Sequence, residues 1–169
     1  LGRITLPAGA DDLTVERALA EIRAADWVFA GPGSPSYARR CWAGTTVPAA
    51  LAAVVAGERP GALVLASAAA VTLGDWALPV YEIYKVGEDP RWEPGIGLMH
   101  AVLGWRCAVV PHYDNQEGGT HDTRFCYLGE RRLRVMESQL PDGAVVLGVD
   151  EHTAVVIATN RRVKPRTRP

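Results

Sequence analysis

Residues 111–125 read PHYDNQEGGTHDTRF, bringing two histidines, two aspartates and a glutamate together behind the apolar run CAVV. A histidine at such a place works as a general base if a nucleophile lies within hydrogen-bond reach and a third group orients its ring. The nucleophile candidate is Ser67 in VLASAAAV, where an apolar strand meets a helix. Ligands in open α/β sheets bind beyond the carboxyl ends of the strands. A serine lifted out on a tight turn there needs small neighbours, because strand and helix approach closely. Ala66, Ala68, Ala69 and Ala70 meet that need, and the Ala68 amide would point at an oxyanion on a carbonyl attacked by Ser67. The plainer reading is that Ser67 caps the following helix.

Four histidines are available. His112 follows CAVVP and should emerge at the carboxyl end of a strand, which makes it the better base. His121 lies in the polar loop and suits a substrate or loop role. His100 and His152 have no such placement. For either His112 or His121 the alternative is a histidine that ties down its loop by hydrogen bonds. His112, Asp114, His121 and Asp122 are zinc-ligand types, but their spacing is not that of a compact zinc motif and no cysteine pair supports it. No metal and no cofactor are expected.

The elements that must position these groups alternate. LTVERALAEIRAA has helical apolar spacing with Thr14 placed to cap, and DWVFAG is a short buried strand. GPGSPSYARRCW turns into a helix, TVPAALAAVVAGE is another, and GALVLA is a strand of the kind buried on both faces. LPVYEIYKVGED alternates and reads as extended; GWRCAVVPHY is a further strand. DTRFCYLGERRLRVMESQL reads as one long amphipathic helix, and GAVVLGVDEHTAVVIAT as two strands about a turn at 150–153. The alternation predicts a mostly parallel sheet flanked by helices in three layers. It forms a single domain over 1–160, followed by a basic tail over 161–169.

Composition narrows the function classes. There are 18 Lys and Arg against 19 Asp and Glu, so no nucleic-acid or anionic-membrane partner is suggested. No apolar run is long enough to span a bilayer. Three cysteines, Cys41, Cys107 and Cys126, show no paired spacing and suggest free thiols in the cytoplasm. The chain opens on Leu1, as a fragment of a longer protein would. Monomer and homodimer both remain open.

Several segments in order resemble the serine peptidases of the dipeptidase E and cyanophycinase group, which share the flavodoxin-like fold of class I glutamine amidotransferases. FAGPGSPSYA resembles their glycine-rich loop, and ASAAA their Ser-Ala-Gly-Ala elbow. PHYDN resembles their strand-end histidine, and LGVDEHTAVVI their late Gly-Ile-Asp-Glu-x-Thr-Ala segment. The resemblance implies a triad with Ser67 as nucleophile, His112 as base and Glu82, fifteen positions after the serine, as acid; Asp75 ranks second. It places oxyanion donors at Gly33 or Ser34 and at Ala68. Tyr113, Asn115, His121 and Arg124 would line the pocket, while Arg131, Arg132 and Arg134 would be helix-face charges paired with Glu130 and Glu137. Three features depart from the group. Ala69 stands where it has the elbow glycine, Leu65 replaces a second glycine, and its strands before DWVFAGPG have no counterpart.

The expected activity is therefore hydrolysis of a small peptide or isopeptide-like amide through an acyl-enzyme. The competing reading is a non-catalytic binding or regulatory domain on the same fold, motivated by Ala69 and Leu65. A glutamine amidotransferase would need a thiolate at the elbow, and the elbow residue is Ser67.

Overall fold

A computed structural model describes residues 2–7, 9–58 and 61–159, so the expected basic tail at 161–169 lies outside the described residues. Helix α1 (Asp12–Ala24) buries Ala18, Leu19 and Ile22 on one face. Its cap is Asp11, not Thr14: the Asp11 carboxylate accepts from the Thr14 amide at 2.7 Å. Strand β1 (Trp27–Ala30), helices α2 (Pro35–Trp42) and α3 (Val47–Ala56) and strand β2 (Ala62–Leu65) follow at the expected positions. Beyond them come α4 (Ala68–Val71), β3 (Trp76–Ala77), β4 (Glu93–Pro94), α5 (Leu98–Leu103), β5 (Cys107–Val110), α6 (Glu130–Glu137) and β6 (Val145–Gly148).

The architecture is α/β with parallel strands flanked by helices. The described strands form two ladders, parallel β1–β2 and a four-stranded ladder β4–β3–β5–β6. Its β3–β5 and β5–β6 pairs are parallel and its β3–β4 edge antiparallel. Strand β5 is buried throughout. Cys107 and Val109 face a cluster with Ala70 and Met99, whereas Val110 faces one with Leu133 and Met136 of α6. That two-sided burial is why CAVV is continuously apolar. Strand β1, expected to be buried, and strand β2, expected to be buried on both faces, alternate instead. Leu63 and Leu65 pack with Val28 against Leu19, Leu51 and Val54 of α1 and α3. Trp27, Phe29 and Val64 are exposed on the opposite face, which no described element covers.

Three other segments differ from their expected form, each for a local reason. In LPVYEIYKVGED, Val80 and Ile83 are buried while Tyr81 and Tyr84 are exposed. That is a helical spacing, and Glu82–Val86 forms a π-helical turn closed by Gly87 at φ 85°. The helix predicted from residue 122 begins only at Glu130. Phe125, Cys126 and Tyr127 are left-handed, at φ 60°, 56° and 67°. Gly129 (φ 74°) then starts α6, and the Asp122 carboxylate accepts from the Glu130 amide at 2.9 Å. The strand expected after Asp150 does not form. Val155, Val156 and Ile157 are exposed and without regular structure.

Candidate active site

The carboxyl ends of β2 and β5 converge although the two strands belong to different ladders. Ser67 follows β2 at φ 52°, ψ −118°, a strained conformation for a residue with a side chain. Its hydroxyl makes no cap bond to α4. Instead Ser67 Oγ lies 3.0 Å from His112 Nε2. His112 sits two residues beyond β5 with a left-handed backbone of its own, φ 51°.

The third member of this chain of contacts is Glu151. His112 Nδ1 donates to Glu151 Oε1 at 2.8 Å, and Asn115 Nδ2 donates to the same oxygen at 2.9 Å. These bonds, Asn115 first and His112 second, hold the Glu151 carboxyl below the usual carboxylate range. An ionised carboxylate facing Nδ1 keeps the ring proton there and leaves Nε2 free to accept from the Ser67 hydroxyl. The backbone holds the acid as well: the Glu151 amide donates to Asp114 Oδ1 at 2.7 Å. Register explains the meeting. Val110 pairs with Gly148, so the residues just past β5 and β6 leave the ladder side by side.

Glu82, the acid expected from the resemblance, does not contact His112. It lies on the π-helical turn, and its Oε2 is buried without a hydrogen-bond partner among the described residues. Asp75 faces a different histidine, His100, at 3.1 Å. The residues expected to line the pocket are also redistributed. Asn115 is fully buried and supports Glu151. The Tyr113 ring packs edge-on against Phe125, centroids 4.6 Å apart. Arg124 is tied to Asp122 and Glu130, and His121 lines a separate groove of about 840 Å³ between the π-helical turn and α6.

Gly33, Ser34 and Ala68 were expected as oxyanion donors. Gly33, Ser34, Ala68 and Ala69 line one wall of a second groove, of about 860 Å³. The Ala69 amide is taken by the Ala66 carbonyl at 3.2 Å, while the Ala68 amide has no described partner. The Ser34 hydroxyl is occupied in capping α2, accepting from the Tyr37 amide at 3.2 Å. Its backbone amide has no described partner.

Glu151 was missed as a site residue although LGVDEHTAVVI had been singled out; its signal was a carboxylate just past a strand that pairs with β5. Tyr127, not singled out in the sequence, lies beside His112. Its ring lies 6.1 Å from the His112 ring, and its hydroxyl donates to Glu117 at 2.8 Å. That bond, with burial behind it, pushes the Tyr127 phenol up to about 12. Among the described residues no three His, Cys, Asp or Glu side chains are grouped to hold a metal ion. None of the described helices is long and apolar enough to cross a membrane.

No family model matches this chain, and no curated protein matches it. Among solved structures it is similar to a peptidase from an acI-B1 Actinobacterium, with a TM-score of 0.53 and 16% identity. The match covers 79% of this chain and 46% of that one, so the chain spans about half the length of the peptidase it resembles. At that identity the likeness shows a shared α/β fold; the motif resemblance to the dipeptidase E and cyanophycinase group is finer than it reaches.

Proposed function

We propose that the protein is a serine hydrolase that cleaves a peptide or isopeptide-like amide through Ser67, His112 and Glu151. The observation that carries this reading is the Ser67 hydroxyl, 3.0 Å from His112 Nε2 on a backbone at φ 52° that serves no helix cap. A capping serine would relax to an ordinary extended conformation. A strained residue beside a base–carboxylate pair is better explained by chemistry than by packing.

In this reading His112 Nε2 takes the Ser67 proton as Oγ attacks the scissile carbonyl. The negative oxygen that develops accepts from the Ala68 amide and from Gly33 or Ser34. His112 then returns the proton to the leaving amine, and the acyl-enzyme forms. Water, deprotonated by the same nitrogen, attacks the ester and releases the acid. Glu151 stays ionised throughout and balances the imidazolium. The four motifs that resemble the dipeptidase E and cyanophycinase group make acidic amides, aspartyl peptides first, the substrates to try.

The test is labelling by a fluorophosphonate, which reacts with activated serines without needing the right substrate. The folded protein should label at Ser67 and lose labelling on Ser67→Ala and His112→Ala. A folded protein that never labels would leave a binding domain on this fold as the better account.

A further inference from the structure

We propose that Tyr127 is a positioning residue, whose ring, tethered through its hydroxyl to Glu117, holds the His112 imidazole in line between Ser67 and Glu151. The proposal rests on the reading of Ser67, His112 and Glu151 as a reactive set. The Cβ–Cγ bond leaves the imidazole its side-chain torsions, and hydrogen bonds at Nε2 and Nδ1 restrain them only as well as Ser67 and Glu151 are themselves held. A ring packed beside the imidazole limits them further. The Tyr127 ring is inclined 49° to it at 6.1 Å, and is itself backed by Tyr84 at 5.4 Å.

The backbone is strained to put it there. Phe125, Cys126 and Tyr127 are three successive left-handed residues, none of them glycine. Such runs are disfavoured for residues with a Cβ and persist where the surroundings over-determine them. Here the run is bonded to the histidine's own segment. The Cys126 amide donates to the His112 carbonyl at 3.1 Å and the Phe125 amide to the Tyr113 carbonyl at 2.9 Å. The buried Cys126 side chain anchors the run in the core.

The contacts then close a circuit. Tyr127 Oη donates to Glu117 Oε2, and the Glu117 amide donates to Asn115 Oδ1 at 3.2 Å. Asn115 Nδ2 donates to Glu151 Oε1, the oxygen that also accepts from His112. Every member of the circuit holds the next, and His112 is where side-chain packing and hydrogen bonding meet.

Two readouts test this. One is the low-field proton resonance of His112 Nδ1–H, assigned by its loss in His112→Ala. The other is fluorophosphonate labelling, split into maximal rate and half-saturating concentration. Tyr127→Ala should broaden or abolish the resonance. It should lower the maximal rate on the order of tenfold to a hundredfold, as expected for a misplaced reacting group, at an unchanged half-saturating concentration. Tyr127→Phe keeps the ring and should recover most of that loss, while Tyr127→Phe and Glu117→Ala, which both remove the tether, should match each other. Tyr127→Gly covers the risk of misfolding, since glycine suits φ 67°, and should behave like Tyr127→Ala. A parent-like resonance and rate in folded Tyr127→Ala and Tyr127→Gly would overturn the proposal and leave the hydrolase reading intact. A Tyr127-dependent resonance in a protein that never labels would support the positioning and overturn the hydrolase reading.

Discussion

Replacing Glu151 by glutamine removes one charge and almost nothing else, which makes its effect calculable. In the serine-protease triad, the equivalent aspartate-to-asparagine change costs about 10⁴ in turnover because the new amide stabilises the wrong histidine tautomer. That mechanism is blocked here. Oε1 of Glu151 accepts from two donors at once, His112 Nδ1 at 2.8 Å and Asn115 Nδ2 at 2.9 Å. A glutamine that turned its NH₂ group inward would set it against the Asn115 NH₂. The amide oxygen therefore stays inward, still accepts from both, and keeps the proton on Nδ1. What is lost is the counter-charge to the imidazolium, partly screened because the Glu151 side chain is 28% exposed. The expected loss in Ser67 labelling rate is on the order of 10²-fold, two decades short of the protease case. Glu151→Ala, which removes the acceptor as well, should fall further. Stopped-time labelling at pH 7 with parent, Glu151→Gln, Glu151→Ala and Glu82→Gln measures all four. Glu82→Gln should label at the parent rate, since Glu82 makes no contact with His112. A parent-like Glu151→Gln alongside a crippled Glu82→Gln would refute the assignment of the acid.

The remaining expectations concern pH, packing and the thiols. The Glu151 carboxyl is held below its ordinary value of 4.5, so its stabilising contribution is full above that pH and is lost as pH falls through the lowered value. Thermal melts should show parent above Glu151→Gln at pH 7, with the gap closing only on acidification below about 4.5, the ordinary value. A Cβ on Gly148 would meet the Tyr113 ring at 2.5 Å, so Gly148→Ala must displace Tyr113 from Phe125. It should lower stability in urea by about 1–3 kcal/mol, as overpacking does. Cys41, Cys107 and Cys126 are all buried, and burial pushes the Cys126 thiol up to about 12. Iodoacetamide at pH 8 should therefore leave Ser67 labelling unchanged in the folded protein, because the attacking species is a thiolate. Loss of labelling on alkylation would point to a reactive cysteine instead.

The parts of the site that were legible in the sequence share one property: they depend on short-range patterns. Ser67 and His112 could be picked out because each follows a continuous apolar run, and such runs end where α/β ligands sit. Glu151 depends on which strand β6 pairs with, a contact between Val110 and Gly148 that no local pattern encodes. The resemblance implied Glu82, in a segment read as extended; the segment instead forms a π-helical turn, in keeping with the burial of Val80 and Ile83, and Glu82 makes no hydrogen bond to His112. The left-handed run at 125–127 was hidden for a related reason. Phe, Cys and Tyr carry none of the marks that glycine or asparagine give to positive φ, and their apolar spacing reads as helix.

The two glycines absent from the elbow can now be weighed physically. Glycine has two distinct uses at such a turn, a positive φ and a close approach, and they have different consequences when it is replaced. A side chain at a position needing positive φ is strained wherever it points. One at a position needing only room is harmless if the room exists. Neither Leu65 nor Ala69 has a positive φ; in the elbow that burden falls on Ser67 alone. Room exists as well. Ala69 is 2% exposed, packed in the core, and Leu65 contributes its side chain to the cluster of Leu19, Leu51 and Val54. The strain at Ser67, about 1–3 kcal/mol, is of the kind that a surrounding core can offset. The Ser67 carbonyl accepts from the Val71 amide at 3.1 Å, and Ala68, Ala69 and Ala70 are all buried behind it. Leu65 and Ala69 thus add apolar packing behind the elbow without changing its backbone. They are no argument against a reactive serine, and the case for a silent binding domain loses the observation that motivated it.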